Sequence, residues 1–195
     1  MMKMTAVRTA AVIVAGLALA TPVRSEDKMG RETFTAFAVD LGNSGRSSST
    51  SQVKITIDRW STDEERRRLV TSFQESGDDA LLKDLQKLKP LGRISTPDSI
   101  GYDLRYAHQM PLASGGRRII IATDRPMTYF ERANRPRSVD YPYTFIEMRI
   151  GADGKGQGKM TVATKINMLG EDTIELENYD LTPVQLSAIR ASMKK

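Results

Sequence analysis

Cysteine is absent from this 195-residue chain. The absence excludes disulfides, thiolate metal sites, cysteine nucleophiles and lipid attachment through an N-terminal cysteine. Histidine is almost absent too, because His108 is the only one. A metal site would then need a cluster of carboxylates, and the sequence contains no recognisable cluster of that kind. We therefore expect a fold stabilised by packing and hydrogen bonds, with no metal and no other cofactor.

A hydrophobic run long enough to span a bilayer is also missing. The apolar stretch at residues 10–20 is shorter than the roughly 20 residues that a membrane helix needs. It follows two basic residues and ends in small residues at Ala20, with a second small-residue exit at Ser25. This pattern is typical of a secretory signal peptide. We interpret residues 1–25 as a signal peptide, cleaved after Ala20 or Ser25, and expect a periplasmic or extracellular protein without a stable membrane anchor.

The positive net charge belongs partly to this leader. Cleavage after Ala20 removes two positive charges and lowers the net charge from +5 to +3, and cleavage after Ser25 removes three and lowers it to +2. Residues 26–195 have the size of one ordinary domain, and their positive and negative side chains are interspersed. A mildly positive domain of this kind is weak evidence for a nucleic-acid partner, so we expect none.

Alternating apolar and polar residues predict strands along most of the mature chain. In residues 52–60, for example, Val53, Ile55 and Ile57 alternate with polar side chains. Further strands are predicted over residues 34–41, 102–110, 117–124, 144–150, 160–166 and 173–179.

The C-terminal stretch, residues 183–193, fits either a helix that begins with Thr182 and Pro183 or a closing strand. Most of the predicted strands have one apolar and one polar face, which favours an antiparallel sheet over a doubly wound parallel one. We therefore predict a β-rich α+β fold. Its sheet is an antiparallel meander of about seven to eight strands, arranged as a barrel or a sandwich.

A helical hairpin is predicted at residues 62–89, inserted after the second strand. Ser61 and Glu64 have the spacing of a capping box at its start. Residues 76–78 interrupt the helical pattern, which then resumes and ends at Pro90. Such a helical pair either gates an apolar cavity in a barrel or simply covers one face of the sheet.

The segment from Asp124 to Tyr143 combines arginines with aromatic residues and prolines. Arginine binds carboxylate or phosphate through two parallel hydrogen bonds, and long irregular connections are often functional. We nominate as ligand-binding residues Arg125, Tyr129, Arg132, Arg135, Arg137 and Tyr141. The ligand would be small and amphiphilic or anionic, and the strand interior would hold it with the arginines near the rim. The alternative is a solvated loop whose aromatic residues cover one end of the barrel.

No residue is nominated for catalysis. His108 is either a general base without identifiable partners or an ordinary, partly buried ring. Residues 154–159 resemble a phosphate-binding loop only superficially, because two predicted strands flank them, and a hairpin tip fits better. No pattern of a serine nucleophile occurs.

These observations favour a non-enzymatic binding protein of the cell envelope. The alternative is a module that binds another envelope protein or a surface polymer, and a hydrolase is the third class. A closed barrel filled by its own side chains would favour the interaction module, because it leaves no space for a ligand.

Two segments, residues 53–65 (VKITIDRWSTDEE) and residues 121–126 (IATDRP), resemble a group of exported bacterial proteins of unknown function. The resemblance implies export. It implies no activity, cofactor or site residue.

Overall fold

The computed structural model describes residues 30–41, 48–125, 142–168, 174–178 and 183–193. The predicted signal peptide lies outside these described residues. Within them lie ten strands and one helical element, in the order β1 (Glu32–Asp40), β2 (Ser49–Ile57), α1 (Asp63–Lys87), β3 (Gly92–Ser95), β4 (Tyr102–Leu104), β5 (Tyr106–Pro111), β6 (Arg117–Thr123), β7 (Tyr143–Ile150), β8 (Lys155–Met168), β9 (Ile174–Asn178) and β10 (Val184–Met193).

The ten strands form one antiparallel sheet that nearly closes into a barrel. Its strand order is β4-β3-β2-β1-β10-β8-β7-β6-β5, and β9 pairs with β8. The two ends of this order, β4 and β5, are separated in the chain only by Arg105. The N–H of Arg105 donates to the carbonyl of Ala122 in β6 at 3.0 Å, whereas Leu104 pairs with Gly92 in β3. A single segment that bends at Arg105 therefore forms both ends of the sheet.

The predicted β-rich antiparallel fold is confirmed, but the strand count exceeds the predicted seven to eight. One additional strand arises because the strand predicted over residues 102–110 divides at Arg105 into β4 and β5. Another is β3, whose four residues are too few to show alternation in the sequence. Residues 184–193, which fit a helix or a strand, form β10 between β1 and β8.

Side chains fill the described interior of the barrel. The inward-facing residues form one buried cluster, and its largest members with less than 2 % exposure include Phe34, Ile55, Leu104, Ile121, Ile146 and Met148. Near the start of β1 and β6, Glu32 and Arg117 form an ion pair across this interior. Packed apolar side chains thus occupy the middle of the barrel, and a charge pair lies towards one end.

The helical element α1 begins one residue later than predicted. Thr62 is its N-cap: its hydroxyl accepts from the N–H of Glu65 at 3.1 Å, and the Glu65 carboxylate accepts from the N–H of Thr62 at 2.9 Å. The prediction of Ser61 and Glu64 as the capping box is therefore wrong. Ser61 instead pairs with Ala107 of β5 through its N–H and its hydroxyl, so the helix starts after it.

Gly77 divides α1 into two helical segments. Its φ of 76° and ψ of −165° lie outside the helical region and favour glycine. Arg68 in the first segment lies 3.2 Å from the Asp84 carboxylate in the second. Residues 16 positions apart would be separated by about 24 Å along a straight helix, so the two segments fold back on each other. Gly77 therefore lies at the bend of this single helical element.

Candidate functional site

Helical element α1 packs on the outer face of the barrel, not inside it. Along β7, Ile146 belongs to the interior cluster, whereas Tyr143 and Phe145 point outwards towards α1. Leu69 and Phe73 from the first helical segment form a second buried cluster with them. The apolar stripe of the helix is thus covered by the outward-facing aromatic residues of the sheet.

Between α1 and the sheet lies an apolar cleft of about 220 Å³, called here the α1 cleft. Its walls include Leu69, Phe73, Leu85, Tyr106, Tyr143 and Phe145. Val70 lies at its edge with 44 % exposure, and Arg66 is exposed on its rim. Among the lining residues that the structure describes, Arg66 is the only charged side chain. The α1 cleft therefore combines apolar walls with one cation at its mouth.

Two tyrosines supply the polar atoms of the α1 cleft. The hydroxyl of Tyr143 donates to the backbone carbonyl of Asp78 at 2.9 Å, which ties β7 to the turn after Gly77. Burial raises the pKa of the Tyr143 hydroxyl well above its usual value. Burial also raises the pKa of Tyr106, and the nearby guanidinium of Arg66 offsets only part of that effect. Both hydroxyls are therefore neutral at pH 7, so Arg66 keeps its positive charge without an ionised partner among the two tyrosines, although the Tyr106 hydroxyl interacts with its guanidinium.

Arg105 fixes the position of α1 on the barrel. Its Nε lies 3.1 Å from Oδ2 of Asp124, and its Nη1 donates to the carbonyl of Leu88 at 2.7 Å, just beyond the end of α1. The side chains of the ion pair are only 16 % and 10 % exposed. The helix end is thus held by a largely buried charge pair that also marks the point of barrel closure.

Of the six predicted ligand-binding residues, the structure places only Arg125. Its side chain is 57 % exposed, and its Nε lies 4.0 Å from Oδ1 of Asp124. Its carbonyl accepts hydrogen bonds from the hydroxyls of Thr123 and Thr144 at 2.6 and 3.3 Å. The other nominated residues, which lie outside the described residues, are Tyr129, Arg132, Arg135, Arg137 and Tyr141. Their grouping around a ligand stays a prediction.

The structure also describes His108 and the turn at Gly154, two other features that the sequence analysis considered. His108 is half-buried on the outer face of β5, where its ring lies 6.3 Å from that of Tyr106 at an angle of 26°. Gly154 has a φ of 75° in the turn that joins β7 to β8, as a hairpin tip requires. Across the described ranges, no group of three or more histidine, aspartate or glutamate side chains could hold a metal ion.

Comparison with known proteins adds no assignment. No protein-family model, curated protein or solved structure matches the chain. Within the part of the chain that the structure describes, no helix is both long and apolar enough to cross a membrane. The function must therefore be argued from the chemistry of the surface and of the α1 cleft.

Sequence reasoning identified one wall of the α1 cleft and missed the other. The apolar stripe of Leu69, Val70 and Phe73 is visible from helical spacing. Nothing in the sequence indicates that Tyr106 and Phe145, from two strands that are not neighbours in the sheet, face that stripe. This apposition follows from the register of the closed sheet.

Proposed function

We propose that this protein is an exported, non-enzymatic binding protein of the cell envelope whose ligand is a small amphiphile with an anionic head group. The observation that carries the proposal is the α1 cleft, where apolar walls end at the cation of Arg66. Apolar walls favour the body of such a ligand by removing it from water. A guanidinium at the rim forms strong hydrogen bonds with a carboxylate or a phosphate.

The barrel interior is the less suitable place for the ligand. The alternating strands predict a ligand in the interior, but the described interior is occupied by side chains such as Phe34 and Met148. The α1 cleft, on the outer face, has apolar walls and an open rim. We therefore place the ligand between α1 and the sheet.

The size of the α1 cleft limits the ligand. At about 30 Å³ for each water-sized group, its volume of about 220 Å³ corresponds to about seven heavy atoms. Burying about six methylene groups contributes about 5 kcal/mol, and a charged hydrogen bond contributes about 1.5 to 3 kcal/mol. Association costs at least about 4 kcal/mol, so about 2 to 4 kcal/mol remains, and we expect a Kd of about 1 to 20 mM for a chain of this length.

Octanoate is a suitable probe, because its seven-carbon tail matches the α1 cleft and its carboxylate would reach Arg66. Calorimetric titration of the full chain should show saturable binding of octanoate, and octanol should bind more weakly. The variant Arg66→Gln should weaken octanoate binding about tenfold and change octanol binding little, because only the head-group contact is lost.

The matched control is Arg67→Gln, one residue along the same helix, because Arg67 is exposed and does not line the α1 cleft. It should bind octanoate as the unmodified chain does. No saturable binding of octanoate at concentrations up to about 50 mM would refute the proposal, as would equal losses of affinity in the two variants.

An interaction module is the second candidate. The filled interior supports it, because a barrel without internal space presents its outer face to partners. Phe37 on β1 and Leu41 just beyond its end are 48 % and 60 % exposed and provide apolar side chains that a partner could cover.

A further inference from the structure

A basic surface covers the outer face of four neighbouring strands, β6, β7, β8 and β10. Its cations are Arg118, Arg149, Lys155, Lys159 and Arg190. These five side chains, here called the basic face, are accompanied by two carboxylates: Glu147, the only acidic residue in the four strands, and Asp153 in the turn before β8, whose Oδ2 lies 3.7 Å from Nζ of Lys155. The basic face and the α1 cleft share no residue.

The register of the sheet places like charges directly opposite each other on this face. Arg118 of β6 pairs with Arg149 of β7, and Lys155 of β8 pairs with Arg190 of β10. Like charges in directly opposite positions destabilise a sheet. Glu147 contacts both arginines of the first pair and Asp153 contacts Lys155, but these four cations outnumber the two carboxylates, and a bound anion would reduce the remaining repulsion.

Glu147 neutralises only part of this charge. Its Oε1 lies 3.0 Å from Nε of Arg118 and 3.3 Å from Nε of Arg149, and Lys159 is its register partner on β8. Burial alone would raise the pKa of Glu147, but these cations lower it below its usual value, so the carboxylate is ionised at pH 7. Three cations around one carboxylate leave a local net charge of +2.

A groove of about 430 Å³ runs between β7, β8 and β10 beside these cations. A β-bulge shapes it: β10 carries an extra residue between Leu186 and Ile189, where Ala188 has a φ of 50°. Neutral hydrogen-bonding side chains line the groove together with Arg149 and Lys159, namely Gln157, Gln185 and Ser187. Amides and a hydroxyl next to cations suit a ligand that carries hydroxyl groups as well as negative charges.

An exposed aromatic ring borders the groove. Phe37 of β1 is the register partner of Ser187 and is 48 % exposed. A flat apolar ring at the edge of a polar groove provides a surface on which the C–H face of a sugar can pack. From Arg118 on β6 to Arg190 on β10 there are three strand spacings, or about 14 Å. A single small anion cannot span that distance, whereas a chain of several sugar units can.

We propose that the basic face binds an anionic polysaccharide, a chain of sugar units that carry carboxylate, phosphate or sulfate groups. The cations contact the acidic groups, Gln157 and Gln185 bind hydroxyl groups, and Phe37 packs against a sugar ring. This inference goes beyond the amphiphile proposal and does not depend on it, because no residue is shared between the two sites.

The test compares binding of the full chain to polygalacturonate, to heparin and to neutral dextran at low salt. Polygalacturonate carries carboxylates and heparin carries sulfates as well, so the two probes distinguish which acidic group is preferred. We expect binding to at least one of the anionic polymers, none to dextran, and an affinity that falls with rising salt. Absence of binding to both anionic polymers would refute the proposal.

Variants locate the binding surface. The double variant Arg149→Gln/Lys159→Gln should lower affinity at least tenfold, whereas Arg67→Gln/Lys83→Gln, which removes the same charge from the exposed side of α1, should lower it less than twofold. Equal losses of affinity in the two double variants would show that binding depends on the net charge of the protein and not on the basic face. Thermal unfolding of each variant confirms that the fold is kept.

Phe37→Ala tests the sugar contact without any change in charge. It should weaken polysaccharide binding about fivefold and leave binding of a single-stranded DNA oligonucleotide unchanged. DNA binding as tight as polysaccharide binding at equal salt would overturn the assignment to a polysaccharide.

Discussion

Replacing Arg117 with methionine removes one half of the ion pair that crosses the barrel interior. Nη1 of Arg117 donates to Oε2 of Glu32 at 3.0 Å and to Oε1 of Gln109 at 2.8 Å, and Nη2 contacts the second Glu32 oxygen. Glu32 is 2 % exposed and the Arg117 side chain 19 %. The substitution keeps much of the apolar volume of the side chain but leaves the buried carboxylate without its cation.

The expected loss is large because of this burial. Removing one partner of a buried pair costs about 3 to 5 kcal/mol, a substantial part of the roughly 5 to 15 kcal/mol that stabilises a domain. The matched control is Arg31→Met, since Arg31 and Asp58 form a pair whose side chains are 55 % and 51 % exposed. For that exposed pair we expect a loss of no more than about 1 kcal/mol.

A double-mutant cycle separates the pair from the individual side chains. With Glu32→Gln as the second change, the double variant should lose less stability than the sum of the two single variants, because removing Arg117 no longer leaves a buried charge unpaired. Additive losses would mean that the two side chains act independently and that no coupling spans the barrel.

Urea unfolding measures these losses, and the chain carries its own probe. Trp60 is the only tryptophan; it packs against the interior cluster, and its ring lies 6.0 Å from the guanidinium carbon of Arg117. Its fluorescence and the far-ultraviolet circular dichroism should change together if unfolding is two-state. A loss for Arg117→Met no larger than that for Arg31→Met would refute the reasoning.

Two further predictions concern α1. Gly77→Ala should destabilise the protein by about 1 to 3 kcal/mol in urea unfolding, because a φ of 76° is unfavourable for alanine. The added Cβ would lie within 4 Å of no other atom, so no new packing would offset this strain. The control Ser76→Ala should change the free energy of unfolding by less than about 0.5 kcal/mol. The hydrogen bond from Lys87 outweighs burial and lowers the pKa of Asp84 to about 2, below its unfolded value of 3.8. The Asp84 carboxylate therefore contributes stability above about pH 4, and this contribution is lost as the pH falls through about 2. Asp84→Asn should be less stable than the unmodified chain at pH 6, and the difference should shrink as the pH falls and vanish below about pH 2.

The sequence predicts the strands correctly where apolar and polar residues alternate over the whole strand. Val53, Ile55 and Ile57 are buried as their spacing predicts, because one face of β2 packs against the interior. Features set by distant partners were missed. The helix start moved from Ser61 to Thr62 because Ala107, 46 residues away, binds both the N–H and the hydroxyl of Ser61.

The candidate sites show the same limit. The alternation of Lys155, Gln157 and Lys159 is visible in the sequence, but the glycines between them predicted a hairpin tip over residues 154–159. In the structure only Gly154 lies in the turn, and residues 155–159 begin β8. That Arg149 faces Arg118 depends on how β6 and β7 align, which local patterns do not determine. Non-local pairing therefore created both surfaces proposed here for binding.

Barrel closure and the α1 cleft depend on the same residue. Arg105 breaks the strand run, so that Leu104 faces the interior while Tyr106 faces α1. Its N–H donates to Ala122 of β6, which brings the two ends of the sheet together, and its guanidinium donates to the carbonyl of Leu88 just beyond the end of α1. The distance between the helix and the sheet is thus set where the sheet closes. A ligand in the α1 cleft would therefore meet walls held by the largely buried Arg105–Asp124 pair and the hydrogen bond to Leu88, which lowers the cost of ordering them on binding.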